Sequence, residues 1–238
     1  LDHLRMAGEW PRNVQGIPGY TAYWAMAYEL VLRFENDLDI IKRNLPHIIA
    51  AAHWFVDQFG ADGLWDAKGQ ERPLVDWAWL EHDDCVKGTH FQWIESLECV
   101  AKVLAAAGEA EEADKCVKAA QAAREAAVKA WLDPETGLFS KRQQVNAWAV
   151  VCGALPKESC AAAAVDLSAA NKRWISPFQN FYVLQALALL GQHQTALDVI
   201  RNYWGAMLDA GATTFAMTSS TFFVTSQPSF FQHRTASS

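Results

Sequence analysis

The 238-residue chain is poor in the signals that mark redox, metal or membrane chemistry. Its five cysteines, Cys85, Cys99, Cys116, Cys152 and Cys160, are odd in number and never in CxxC spacing. They read as small buried hydrophobes on helices rather than as disulfides or zinc ligands, which favours a reducing compartment. No apolar run approaches the ~18 residues of a membrane-crossing helix. Against 27 acidic residues the 20 basic ones form no cluster, and the net charge is −7. That balance excludes nucleic acid and anionic membrane from the expected partners. His47, His53 and His90 lie scattered on helical stretches, with no triad or zinc spacing. Glu81-His82-Asp83-Asp84-Cys85 crowds ligand-type residues together. Adjacent residues rarely converge on one ion, so this run reads as solvated loop, and neither metal nor cofactor is expected. The opening LDHLRMAGEW has no initiator Met, basic n-region or apolar h-region, and reads as a cut inside a longer polypeptide.

What the chain does contain is helix. Hydrophobic residues make up 51%, and strand signals are almost absent. Tyr20 to Phe34 is apolar nearly all round and predicts an inner helix. Leu38, Ile41, Leu45, Ile48, Ala52, Phe55 and Phe59 recur at helical steps and predict an amphipathic outer one, kinked or split at Pro46. Gly60 to Gly88 reads as one long connection with seven acids and the tryptophans Trp65, Trp77 and Trp79. A loop of that length in a compact domain points to function. Thr89 to Ala107 then reads as inner and Glu109 to Leu132 as outer, its charged face a solvated surface. Asp133 to Phe139 is a turn of the same character as Ala61 to Trp65.

Gln143 to Leu155 and Glu158 to Ala169 make a third pair. In the fourth, Ser176 caps and Pro177 opens a helix from Phe178 to Leu190 that is apolar enough to be buried on all sides. Gly191 can end it in a left-handed conformation. Gln194 to Asp209 follows as an amphipathic partner, with Leu197, Ile200, Tyr203, Trp204 and Met207 on one face. Trp54, Trp131, Trp148 and Trp204 sit mid-helix and read as core. Four hairpins of alternating buried and half-buried helices, without a fixed period, favour an all-α toroid over an open solenoid.

Particular motifs carry a family resemblance. Ile17-Pro18-Gly19-Tyr20-Thr21-Ala22-Tyr23-Trp24, Val75-Asp76-Trp77, Ser176-Pro177-Phe178 with Phe181-Tyr182-Val183-Leu184-Gln185-Ala186-Leu187, and Tyr203-Trp204 with Gly211-Ala212-Thr213-Thr214-Phe215 resemble the α-L-rhamnosidases of glycoside hydrolase family 78, in consistent order from Ile17 to Phe215. The resemblance implies an (α/α)6 toroid, the six-hairpin glycosidase fold, of which about four of six hairpins are present. Residues 1–19 would be an irregular lead-in, 20–212 the partial barrel, and 213–238 a Ser/Thr/Phe-rich tail, disordered or out of frame. An open barrel of this kind would expose the flanks of its inner helices.

The implied activity is inverting hydrolysis of terminal α-L-rhamnosyl residues. The implied partners are a rhamnose-containing glycoside or oligosaccharide and the remainder of a parent chain. In a toroid the inner helices share one N-terminal rim. That rim would gather Tyr20, Tyr23, Trp24, Asp76, Trp77, Gln143, Gln144, Asn146, Phe178, Gln179 and Asn180, with Thr213 and Thr214 leading into a fifth inner helix. Aromatic rings stack on sugar C–H faces, while Asp, Asn and Gln bind hydroxyls. Asp76, Trp77, Trp24 and Tyr20 are therefore the expected rhamnose contacts, and Trp65 the expected entrance residue.

The family's catalytic carboxylates are another matter. Its general acid belongs to an Asp-Glu-Arg motif that residues 1–16 do not contain. Its general base ends a Thr-Thr-x-Trp-Glu motif, and here Thr213-Thr214-Phe215 is followed by Ala216-Met217. The chain alone is expected to be inactive. Another α/α-toroid carbohydrate enzyme, or a non-catalytic hairpin module that binds sugar or protein, stays open as an alternative.

Overall fold

The computed structural model describes residues 18–65, 73–76, 81–169, 175–209 and 211–214. Among the described residues eight α-helices follow one another: α1 (Pro18–Glu35), α2 (Leu38–Asp57), α3 (His82–Ala107), α4 (Ala110–Trp131), α5 (Gln143–Val151), α6 (Cys160–Ser168) after a 3-10 turn, α7 (Pro177–Leu189) and α8 (His193–Asp209). The helix ends follow local chemistry. The Asp37 carboxylate accepts the Asp39 and Ile40 amides at the start of α2, and the Ser176 hydroxyl accepts the Gln179 amide at the start of α7. Gly191, at φ 73°, closes α7 as its sequence context predicts. The two similar turns are indeed built alike. Gly60 N–H donates to Leu64 O in one and Asp133 N–H to Leu138 O in the other, with Asp62 and Asp133 each accepting the amide two residues on.

The helices form two layers. In the inner layer α1 packs on α3, α3 on α5 and α5 on α7. In the outer layer α2 and α4 lie against α3, while α6 and α8 lie against α7. One core, around Phe55, Phe91, Trp93, Ile94, Leu97 and Trp148, joins the first two hairpins to α5. A second, around Leu167, Ile175, Val183 and Leu187, joins the last two hairpins. Burying each such side chain contributes about 1.5–3 kcal/mol relative to leaving it exposed.

Several expectations need correction. Pro46 does not split α2, which runs through it unbroken. The connection after Gly60 is shorter than the sequence suggests, because α3 begins at His82 rather than Thr89. Asp83 and Asp84 therefore lie in a first helical turn, where acids complement the helix dipole, and not in a loop. The largest correction concerns burial. Inner helices α3 and α5 are enclosed, but α1 and α7 are not buried on all sides. On α1, Tyr20, Leu30 and Phe34 (77% accessible) face outward; on α7, Phe178, Phe181 and Leu189 do. Each of these helices has an inner-layer neighbour on one flank only among the described residues. On α8, Tyr203 and Met207 are buried as expected, whereas Leu197 and Ile200 are exposed.

Candidate functional site

The rim begins with a short stretch of the long connection. Val75 lies against α3 where Gly88 leaves room, and a Cβ on Gly88 would meet Val75 Cγ2 at 2.5 Å. A glycine inside a helix is thus explained by the close approach of another segment. With Val75 seated, Asp76 is buried at 4% accessibility. Its Oδ2 accepts the Ser176 amide at 2.9 Å and the Gln144 side-chain amide at 3.2 Å. The strap therefore bridges the N-termini of α5 and α7.

From there the network runs inward. Gln179 donates from Nε2 to Val75 O and, at 3.0 Å, to the Tyr23 hydroxyl. Gln92 of α3 donates to the same hydroxyl at 3.0 Å, and Trp148 Nε1 donates to Gln179 Oε1 at 2.9 Å. All four inner helices and the strap thus share one buried polar network. Around it stand aromatic rings. Tyr23 meets Phe178 edge-on at 5.1 Å and stacks near Tyr182 at 6.1 Å, and Tyr182 lies 3.9 Å from Trp148 between centroids. Burial raises the Tyr23 phenol well above its ordinary value, with the nearby Tyr182 and Asp76 adding to that shift, so its O–H stays protonated. Such a hydroxyl is a neutral hub for the Gln92 and Gln179 amides, not a base.

The predicted residues divide between places. Asp76, Gln144, Gln179 and Tyr23 come together in the network. Tyr20 sits on the same helix one turn before Tyr23 and is exposed at 44%, and Phe178, beside Tyr23, at 55%. Trp24 is half-buried, edge-on to Tyr28 at 4.9 Å, and packs on the first core. Trp65 is buried at 3% accessibility, with its ring 5.0 Å from Trp93. Trp77 lies outside the described residues, as do the lead-in before Pro18 and the tail from Phe215. Asn146 turns away from the rim to hold the turn before α5, accepting from Phe139 N and Ser140 N and donating to Ser140 O and Asp166. Asn180 is fully buried, and Thr213 and Thr214 are exposed.

Three participants escape a reading of the sequence. His90 reads as one scattered histidine, yet it is a buried linchpin. Its Nδ1 accepts the Trp65 amide at 3.2 Å and its Nε2–H meets Ala123 O at 3.1 Å, tying the first turn to α3 and α4. Burial pulls its pKa down to about 4, so it is neutral. Gln92 and Glu95 are three residues apart on α3, and that polar pair on one helix face is the signal that could have found them. Among the described residues no group of three or more His, Cys, Asp or Glu could hold a metal. No described helix is long and apolar enough to cross a membrane.

Comparison with known proteins fits this architecture. The family model of the bacterial alpha-L-rhamnosidase six-hairpin glycosidase domain matches residues 5–221. The fold is shared with a family 78 rhamnosidase of Bacillus sp. GL1, at TM-score 0.75 and 24% identity over 84% of this chain and 22% of that one. It is shared too with a rhamnosidase from Klebsiella oxytoca with rhamnose bound, at TM-score 0.71 and 20% identity over 84% of this chain and 40% of that one. The chain thus spans less than half the length of either solved structure. No curated protein matches the sequence. With most of its length matched, in an all-helical two-layer arrangement of hairpins, the chain belongs to the bacterial alpha-L-rhamnosidase six-hairpin glycosidase domain family.

Proposed function

We propose that this chain supplies the glycone side of an inverting α-L-rhamnosidase and does not turn over substrate alone. The observation that carries this reading is the buried network of Asp76, Gln144, Gln179, Tyr23 and Gln92, flanked by the exposed rings of Tyr20 and Phe178. A sugar ring stacked on those aromatics would present its hydroxyls to a preorganised set of amides and a phenol. In this arrangement Asp76 shapes the rim, Tyr20 and Trp24 supply apolar surface, and Trp77, outside the described residues, stays a proposed rhamnose contact. Trp65 serves the entrance only by supporting the turn it anchors.

Inversion needs two carboxyl groups about 6.5–9.5 Å apart, one to protonate the leaving oxygen and one to activate water. Residues 1–16 carry no Asp-Glu-Arg motif, and Ala216-Met217 stand where the base motif would end. The test is hydrolysis of an aryl α-L-rhamnoside by the purified chain, together with calorimetric titration by L-rhamnose. We expect no turnover and weak binding, diminished by Tyr20→Ala and abolished by Asp76→Asn. Turnover by the chain overturns the inactivity. Failure to bind L-rhamnose, with binding of another monosaccharide, overturns the substrate and favours a different toroid enzyme.

A further inference from the structure

The exposed apolar side chains are not scattered over the molecule. Eleven large ones stand exposed among the described residues, and nine of them lie on α1, α7 and α8, three on each. The other two are Val117 on α4 and Val165 on α6. Helices α1 and α7 are the two ends of the inner layer, and α8 lies against α7. The ends approach each other at the rim, where Tyr23 meets Phe178 edge-on at 5.1 Å. A single exposed apolar residue is ordinary, but a surface that gathers most of them marks an interface.

The same surface is close to neutral. Helix α7 carries no charged residue at all. On α1 Glu29 and Arg33 pair at 2.6 Å, and on α8 Asp198 and Arg201 pair at 2.8 Å. In a chain of net charge −7, a neutral apolar surface is where a second copy can approach without repulsion. The area is sufficient. With Tyr20 and Phe178 left to the rim, the seven remaining side chains expose roughly 800 Å² together, taking about 200 Å² for each whole side chain. A stable two-chain interface takes about 800 Å² from each partner.

We propose that this surface is a self-association face: a second copy of the chain docks on it about a two-fold axis, α1 of one copy against α7 and α8 of the other. One sequence then supplies both halves of the contact. The two-fold makes that contact twice and leaves neither end of the inner layer open, whereas end-to-end stacking would always leave one free. The pairing rests on the ends of the layer and not on which sugar the rim takes. An apolar contact of this size without a charged anchor falls at the weak end of its class, with a Kd of about 1 μM. At lower concentration the chains are single and the flanks stand open.

The test is sedimentation equilibrium of the 238-residue chain from roughly 0.1 to 100 μM, a range that brackets that Kd. We expect the mass to rise from one chain to two and to stop there. Phe34→Glu and Leu189→Glu each bring a charge into the contact twice, and each should raise the Kd at least about tenfold with the helical circular dichroism unchanged. Val165→Glu, at a position as exposed but on α6, should leave the Kd where it is. Should either variant lose its helix signal, Leu208→Glu on α8 takes its place. A one-chain mass throughout overturns the pairing, and masses growing beyond two chains overturn the two-fold. A Kd that Val165→Glu raises as much as Phe34→Glu overturns the choice of surface.

Discussion

Helices α3 and α7 make an instructive pair. Both are inner helices, both are dominated by apolar side chains, and by sequence both belong in the centre of a domain. In α3 the prediction holds, with Phe91, Trp93, Ile94 and Leu97 fully enclosed. In α7 only one face is covered, and Phe181 and Leu189 stand at 58% and 61% accessibility. Hydropathy records what a helix is able to bury, and its neighbours decide how much of that it does bury. Helix α3 has α1, α2, α4 and α5 around it, whereas among the described residues α7 has only α5 beside it in the inner layer, with α6 and α8 outside.

The contrast can be broken most directly by truncation on each helix. Trp93→Ala should cost about 3–5 kcal/mol in urea unfolding, the range for large-to-small changes in a packed core. Phe181→Ala should cost under about 1 kcal/mol, since little surface is lost from the interior. Equal losses at the two sites would mean that the α7 flank is covered in solution.

The enclosed side also depends on pH in a way the open side does not. His90 has a folded pKa of about 4, below its ordinary 6.5. Its neutral form therefore contributes stability that is complete above about 6.5 and disappears as pH falls through 4, a total near 3 kcal/mol. A His90→Gln chain should lose that acid slope, and an unchanged slope would place it on another group. Smaller again is Gly88→Ala, which pushes Val75 off α3 and should cost about 1–3 kcal/mol through overpacking. Because Val75 seats the strap, the same change should weaken L-rhamnose binding, whereas Phe181→Ala should leave it alone. Smallest is Lys118→Ala, which removes the exposed ion pair to Asp114 and should change stability by less than about 0.5 kcal/mol. A larger effect there would mean that the outer face of α4 packs against something.

Much of the candidate site was legible, though for mixed reasons. Tyr20, Tyr23, Gln144, Phe178 and Gln179 could be placed together because helix starts are locally encoded and inner helices share a rim. Asp76 was found through its motif and its place in the long connection. Its actual partners were not visible, because the Ser176 amide it accepts is 100 residues away. Trp65 shows the reverse failing. Its loop position suggested an entrance, but the turn that holds it folds back on His90 and Trp93, and the ring goes into the core. The early start of α3 was missed because Gly88 reads as punctuation, and only contact with Val75 reveals why a glycine belongs inside a helix.

The sequence by itself determined the all-α class, the alternation of hairpin partners, the cap at Ser176, and the family, since these rest on local spacing and short motifs. Only the tertiary structure decided which apolar faces are covered, that Asp76 joins α5 to α7, and that His90 stays neutral. Burial, desolvation and hydrogen-bond satisfaction are properties of a surrounding, and that surrounding is assembled from residues far apart in the chain.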